Sequence, residues 1–218
     1  MERKILPLLI PILLLLFAGQ AAAWTVVKEW NGIQVKTRKI EGSPIAQSLA
    51  TVTVESKLSP LVALILDTDN QYKWIDSVDQ SKTLKRISAT RSYNYTLSKA
   101  PWPVSDRDAV VLTEASQDPV THVVQIRSHA TPDYLPEKKG LVRVKIVDSR
   151  WTLTPLPGGK VEISYLLHSD PGGSLPAWLI NAMVTDQPLY TLKNLRDIIG
   201  EAPYKDGKAS FISEPEMQ

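Results

Sequence analysis

Apolar residues near the C-terminal end of the chain recur at spacings of three, four and seven, which predict one long α-helix over residues 176–199. They fall on three neighbouring lines: Trp178, Ala182, Leu189, Leu192 and Ile199; Leu179, Met183 and Tyr190; and Ile180, Val184, Leu195 and Ile198. A helix that lies on one sheet face needs only one apolar stripe. We therefore expect this helix either to be deeply buried or to cover a sheet while it also roofs a cavity. Pro188 is expected to kink or divide it.

A shorter helical pattern begins at Ser59 and Pro60, which have the order of a helix cap followed by a proline in the first turn. Apolar residues continue to Leu66, and the polar residues 67–70 end the helix. One further helical turn is predicted around residues 72–75. These are the helices that the pattern predicts before the C-terminal one.

Alternation with a period of two predicts β-strands over most of the remaining chain. The predicted strands cover residues 24–28, 35–40, 46–55, 78–88, 91–99, 109–117, 122–130, 141–154 and 160–169. Strands flanked by helices indicate an α+β fold, with the helices on one face of a curved antiparallel sheet. A sheet that curls around a helix with two apolar sides would enclose an apolar cavity. Residues 201–218, rich in charge, proline and glycine, are predicted to be a loose tail.

The first 23 residues have the anatomy of a secretory signal peptide. Arg3 and Lys4 precede an apolar run at residues 5–17, and the small residues 21–23 resemble a cleavage site. An uncleaved membrane anchor is the alternative, although the run is short for a bilayer span. The remainder predicts one domain, residues 24–200, exported to the bacterial periplasm, and we expect it to be a monomer.

Composition narrows the classes of function. The net charge is +2, too small for a protein that follows a phosphate backbone, so no nucleic-acid partner is expected. The chain has no cysteine, which excludes disulfides, thiol chemistry and cysteine metal ligands. The histidines, His122, His129 and His168, lack metal-site spacing, and no nucleophile elbow or glycine-rich phosphate loop occurs. No metal, cofactor or catalytic residue is predicted.

Three segments, in order along the chain, resemble the START domain, a lipid-transfer domain. They are Asp106-Arg107-Asp108, residues 135–143 (LPEKKGLVR) and residues 165–181 (YLLHSDPGGSLPAWLIN). The resemblance covers residues 24–199 and implies the helix-grip fold, a curved antiparallel sheet wrapped around the C-terminal helix with an internal cavity. It implies non-enzymatic binding and transport of a lipid or sterol-like ligand, with transient contact to a membrane surface.

The sequence departs from the family pattern at two positions. Some sterol-binding members carry an acidic and a basic side chain that face each other in the cavity, and the matching positions here are Asn94 and Thr113. The resemblance therefore does not imply a buried ion pair or sterol specificity in this chain. Asn94 and Thr113 can still form hydrogen bonds with a ligand hydroxyl or ester.

Strand alternation selects the side chains that face the cavity. On the strands it gives Val111, Thr113, Val124, Ile126, Val144, Ile163 and Tyr165 as wall residues, and the resemblance adds Asn94. Those on the helix are Trp178, Ala182, Met183 and Leu189. Alternation also places Ser128, Ala130, Val142, Ile146 and Leu167 on the same faces.

The proline-rich loops are candidates for access to the cavity. We expect Tyr134 and Leu135, in the loop 131–140, to form a gate, with Gly172 and Gly173 allowing the helix start to shift. Trp102 and Tyr134 are also candidates for membrane contact because aromatic rings favour the membrane interface. Arg107 and Asp108 are expected to be structural.

Two other classes of function remain open at this stage. One is an enzyme on the same scaffold, such as a cyclase, aromatase or hydrolase, which needs a titratable group in the cavity wall. His129 and Glu162 are the nearest candidates, but alternation places both outside the cavity. The other is a lipid sensor that docks a partner protein, which a large exposed apolar patch would indicate.

Overall fold

The structure, a computed structural model, describes residues 23–216. The predicted signal peptide and its alternative, the membrane anchor, lie outside the described residues except for Ala23. Across residues 23–216, no helix combines the length and the hydrophobicity needed to cross a bilayer.

Within the described residues the chain forms ten strands and two α-helices. The strands are β1 Thr25–Trp30, β2 Ile33–Arg38, β3 Gln47–Glu55, β4 Val78–Ser88, β5 Arg91–Ser98, β6 Arg107–Gln117, β7 Val124–Ala130, β8 Val142–Arg143, β9 Ile146–Leu156 and β10 Lys160–Asp170. The α-helices are α1 Leu58–Leu66 and α2 Ala177–Ile199. Short 3₁₀ helices cover Thr68–Lys73, Pro132–Tyr134 and Tyr204–Asp206.

The strands form one sheet in the order β1-β2-β3-β10-β9-β7-β6-β5-β4, and β8 pairs with β6 off this path. All pairs are antiparallel except β6 with β8. Strand β10 lies between β3 and β9, which joins the N-terminal hairpin to the rest of the sheet. The long C-terminal helix lies against this sheet, so the predicted α+β, helix-grip fold is confirmed.

The hydrophobic core lies where both helices pack on the sheet. From α1 it takes Leu61 and Leu64, and from α2 it takes Leu192, Leu195 and Ile199, all buried. Helix α2 runs without interruption from Ala177 to Ile199. Pro188 lies inside it, so the prediction that this proline divides the helix is wrong. The two halves of α2 nevertheless differ, because the buried residues of the helix begin at Pro188.

The predicted strand 141–154 is divided into β8 and β9. Arg143, the last residue of β8, turns its side chain to the carboxylate of Asp108 on β6, and the N–H of Val144 donates to the carbonyl oxygen of Asp108. These bonds hold residues 142–144 against β6, whereas β9 pairs with β7 and β10. A buried ion pair at one position is not visible in a two-residue period, so the pattern predicted one continuous strand.

The segment after α2 is not the loose tail that composition predicted. Tyr204 is buried, and its hydroxyl donates to Asp67 Oδ2 at 2.7 Å. The Glu214 carboxylate accepts the backbone N–H groups of Leu58, at 3.0 Å, and Ser59, at 2.8 Å. Glu214 therefore satisfies the first turn of α1, and Ser59 is not its cap. Residues 204–214 are therefore held in place by contacts with the start of α1, which lies more than 150 residues earlier in the chain than Glu214.

Candidate functional site

An internal cavity of about 250 Å³ lies between the concave face of the sheet and the first half of α2. Its helix wall is apolar and consists mainly of Leu179, Ile180, Met183 and Val184. Ile126, Trp151 and Tyr165 line it from the central strands, beside the hydrophobic core. The cavity exists because the first half of α2 stands off the sheet while the second half packs against it.

The sheet wall of the cavity mixes apolar side chains with polar, mostly uncharged ones. Strand β5 contributes Asn94, Thr96 and Ser98 at alternate positions. The amide Nδ2 of Asn94 donates to Thr113 Oγ1 at 2.9 Å, and that oxygen lies 2.8 Å from Ser128 Oγ. The Asn94 amide oxygen is buried and has no hydrogen-bond partner. A ligand with a hydroxyl group would complete this network, because a hydroxyl both donates and accepts.

The structure brings seven of the predicted wall residues to the cavity. They are Asn94, Val111, Thr113, Ile126, Val144, Tyr165 and Met183. Ser128 and Leu167, which share their faces, also line it. Alternation located the residues on β6, β7 and β10 because the inward faces of these strands were identified correctly, whereas Asn94 was implied by the resemblance.

Five other predicted wall residues do not line the cavity. Val124, Ile163 and Leu189 are buried in the hydrophobic core, where helices pack directly on the sheet and leave no space. Trp178 is 59% exposed and Ala182 is half-buried, because α2 turns an adjacent line of residues inward. Periodicity identifies an apolar face but not how far a cavity extends along it.

The break between β8 and β9 also reverses the alternation that the sequence predicted. Val144 lines the cavity, but the next inward residue is Val147 rather than Ile146, which is half exposed. Inward residues then continue with Ser149 and Trp151. A shift of one residue moves every following side chain to the other face of a sheet.

The predicted gate residues lie on the outer face of the sheet. Tyr134 stacks on Tyr93, with the ring centroids 4.0 Å apart, and Leu135 packs against the small cluster that contains Tyr95 and Leu97. These β5 residues alternate with Asn94, Thr96 and Ser98, which face the cavity. Tyr134 and Leu135 therefore do not cover the cavity, and the expectation of a gate there is corrected.

Arg143 fixes that outer loop in place, and sequence reasoning missed its role. Its guanidinium pairs with the carboxylate of Asp108 at 2.8 and 3.0 Å, and both side chains are 1% exposed. It also donates to the carbonyl oxygens of Pro132 and Leu135 at 2.5 and 2.8 Å. Asp108 is structural, as expected, and its ion-pair partner is Arg143.

Two loops, residues 99–107 and 171–176, contribute lining residues at one end of the cavity, and we call this region the mouth. Lys99 lines the cavity there and is exposed to solvent. Trp102 projects from the first loop and is 93% exposed. Gly172 and Gly173 have φ values of 67° and 68°, a left-handed conformation that glycine adopts without strain, and they direct the chain into α2.

Arg107 connects the two loops of the mouth. It is 7% exposed, and its Nη1 donates to the carbonyl oxygen of Ser105 in the first loop. Its Nη2 lies 3.4 Å from the carbonyl oxygen of Gly172 in the second loop. Burial lowers the pKa of the Arg107 guanidinium.

The other ionisable groups in the wall are Asp76, Lys99 and Tyr165. The bond from Lys99 to Asp106, 2.8 Å long, raises the pKa of Lys99 and lowers that of Asp106, so both stay charged at neutral pH. Burial raises the pKa of Tyr165 to about 12, which keeps its hydroxyl protonated.

Neither His129 nor Glu162 lines the cavity. Residues 23–216 contain no group of three or more His, Cys, Asp or Glu side chains that could hold a metal ion.

The family model of the START domain matches residues 11–202. An uncharacterized protein of Pseudomonas aeruginosa is 36% identical over 183 residues, which cover 82% of this chain and 89% of that protein. The crystal structure of a STAR-related lipid transfer protein fragment from Xanthomonas axonopodis shares 35% identity, with a TM-score of 0.75 over 82% of this chain and 99% of that one.

A named mammalian relative is more distant. The phosphatidylcholine transfer protein of Bos taurus is 27% identical over 171 residues, 75% of this chain and 78% of that protein. The family model covers most of the chain, and the bacterial relatives are more than 30% identical over most of their length. The chain therefore belongs to the START domain family.

Proposed function

We propose that this protein binds one lipid molecule in the internal cavity and transfers it between membranes without altering it chemically. The observation that carries this proposal is the cavity itself, lined on one side by the apolar residues of α2 and on the other by a sheet face with both apolar and hydrogen-bonding side chains. Such a wall suits an amphiphile that has both apolar chains and hydrogen-bonding groups. The named relatives are lipid transfer proteins, one of them a phosphatidylcholine transfer protein, and they support a lipid as the ligand. The proposal includes both a phospholipid and a sterol-like lipid.

The charges in the wall argue against an enzyme on this scaffold. A general base must be able to accept a proton from the substrate near neutral pH. Lys99 is held as an ammonium by Asp106, and Tyr165 keeps its proton. Asp76, the carboxylate in the wall, accepts a hydrogen bond from Ser77 Oγ at 2.8 Å. This arrangement favours binding over catalysis.

The proposed site of action is the periplasm, which the protein would reach through its N-terminal signal peptide. There it would act as a monomer that contacts a membrane surface transiently through the mouth. Trp102, the most exposed of the large hydrophobic side chains in the described residues, lies beside this opening. An exposed tryptophan at the point of lipid release is suited to the membrane interface.

Uptake of a lipid would require the walls to move. The cavity volume of about 250 Å³ is below the range of roughly 300–1,000 Å³ that is typical of small-molecule sites. A lipid with two acyl chains would need more space than this. The first half of α2 is the wall with the fewest packing constraints, because the buried residues of the helix begin only at Pro188.

Lipid transfer between labelled and unlabelled vesicles tests the proposal, together with native mass spectrometry of protein purified from the periplasm. Met183→Trp fills the cavity and is expected to reduce the transfer rate at least tenfold. Asn181→Trp adds the same side chain on the exposed side of the same helix and is expected to leave transfer unchanged. A wild-type protein that carries no lipid and transfers none from vesicles would contradict the proposal.

A further inference from the structure

We propose that the mouth contains a binding site for the phosphate of a net negatively charged lipid head group, formed by Arg107 and the N-terminus of α2. The inference rests on the proposed lipid binding and adds a head-group class and a position. It places the head group at the mouth and the acyl chains in the cavity beyond it.

Arg107 is a buried cation with no carboxylate in ion-pair contact, and the nearby carboxylate of Asp106, which attracts it, is bonded to Lys99 instead. It is 7% exposed, and no carboxylate among residues 23–216 forms an ion pair with it. The other arginine buried to this degree, Arg143, has the carboxylate of Asp108. Burial of an unpaired charge is costly, so proteins pair such charges or place them where a charged ligand binds. The contrast between these two arginines points to a ligand at Arg107.

One edge of the Arg107 guanidinium also lacks a good acceptor. Nη1 is satisfied by the carbonyl oxygen of Ser105, but Nη2 reaches the carbonyl oxygen of Gly172 only at 3.4 Å. Nε is buried and has no hydrogen-bond partner. Nε and Nη2 form an edge that binds phosphate or carboxylate oxygens in pairs. A small shift of the mouth loops would present this edge to a phosphate.

The N-terminus of α2 adds a second positive feature beside the same space. Its N-cap is Pro176, which offers no side-chain cap, and its first turn contains no acidic residue. The N–H groups of that turn therefore have no side-chain acceptor, and the helix dipole makes this end partly positive. Arg107, residues 103–105 and residues 173–176 line one outer pocket, so the guanidinium and the helix end converge on it.

The outer pocket and the internal cavity share a boundary. Arg107 and Leu175 line both, so a head group in the pocket would continue into chains inside the cavity. The neighbouring carboxylate, Asp106, is already bound to Lys99 and to the N–H of Ala100. It is therefore engaged and cannot serve as a free partner for a choline ammonium, and the site favours a net negative head group over a zwitterionic one.

Calorimetric titration of the wild-type chain with short-chain lipids measures this preference. We expect dihexanoyl phosphatidic acid to bind about tenfold or more tightly than dihexanoyl phosphatidylcholine, because its head group carries no ammonium that is repelled by Arg107 and by the positive end of α2. Inorganic phosphate alone is expected to bind at least tenfold more weakly than the phosphatidic acid. Equal affinity for the ion and the lipid would show a free-phosphate site and overturn the head-group assignment.

Arg107→Gln is expected to bind both lipids with the same affinity. The matched control is Arg91→Gln, which removes the same charge from an exposed arginine whose carboxylate partner, Glu114, lies 3.2 Å away. The control should keep the wild-type preference.

If Arg107→Gln does not fold, the affinities of the wild-type chain for the two lipids still test the proposed head-group site. Equal binding of the two lipids by the wild type would overturn this inference and leave the proposed function standing. Failure to bind either lipid would overturn both.

Discussion

The role of a buried charged residue in this fold depends on whether an opposite charge pairs with it. Asp108 and Arg143 are fully buried and satisfy each other, and Arg143 also holds the loop 131–136 through backbone carbonyl groups. Arg107, adjacent to Asp108 in sequence, points to the mouth and has no carboxylate partner in the described part of the chain. Neighbouring residues on one strand thus serve the scaffold and the candidate site separately, because alternate side chains face opposite sides.

At the residue scale, we predict that Arg143→Met lowers the free energy of unfolding by about 3–5 kcal/mol, because it leaves the carboxylate of Asp108 buried and unpaired. Urea denaturation followed by circular dichroism measures this change. Arg91→Met breaks an exposed ion pair with Glu114 and is expected to cost less than about 1 kcal/mol. Similar costs for the two variants would mean that the buried pair does not stabilise the fold as argued.

At the scale of elements, sequence periodicity predicted the helices, most strand positions and the inward faces of β6, β7 and β10. It failed where long-range contacts decide the structure. The division of β8 from β9 depends on the contact of Arg143 with Asp108, and that division reverses the faces of Ile146 and Val147. The side of the sheet that Tyr134 covers likewise depends on tertiary packing against Tyr93.

The structure of the C-terminal segment could not be predicted from periodicity either, because long-range contacts with α1 hold it in place. Lys57, the N-cap residue of α1, makes no side-chain cap hydrogen bond, and the Glu214 carboxylate takes that role for Leu58 and Ser59. We predict that Glu214→Ala lowers the free energy of unfolding by about 0.5–1 kcal/mol, the lower part of the usual range for a lost helix cap. Chemical denaturation measures the loss. The control is Glu216→Ala, in the same exposed segment, and an equal loss in that variant would contradict the capping role.

At the scale of the whole molecule, the walls of the cavity differ in how firmly they are held, and we infer that the sheet is the fixed wall and the other two can move. The sheet is held by continuous strand pairing, whereas the mouth loops are joined through Arg107 and the first half of α2 is only partly buried. A cavity of about 250 Å³ must enlarge to admit a lipid, so exchange should follow the motion of one of these two walls. The chain has no cysteine, so introduced thiols can report which wall moves.

We predict that joining the two mouth loops slows lipid exchange. Ser105→Cys and Ser174→Cys place thiols on opposite sides of the outer pocket, where a bis-maleimide with a reducible spacer can connect them. Exchange with vesicles is expected to fall at least tenfold and to recover when a reductant cleaves the spacer, since the loops can then separate again. The same linker between Ser88→Cys and Thr90→Cys, at the turn between β4 and β5, is the control and should have no effect. Unchanged exchange in the linked mouth would assign uptake to the first half of α2, where Ile180 and Val184 form the cavity wall.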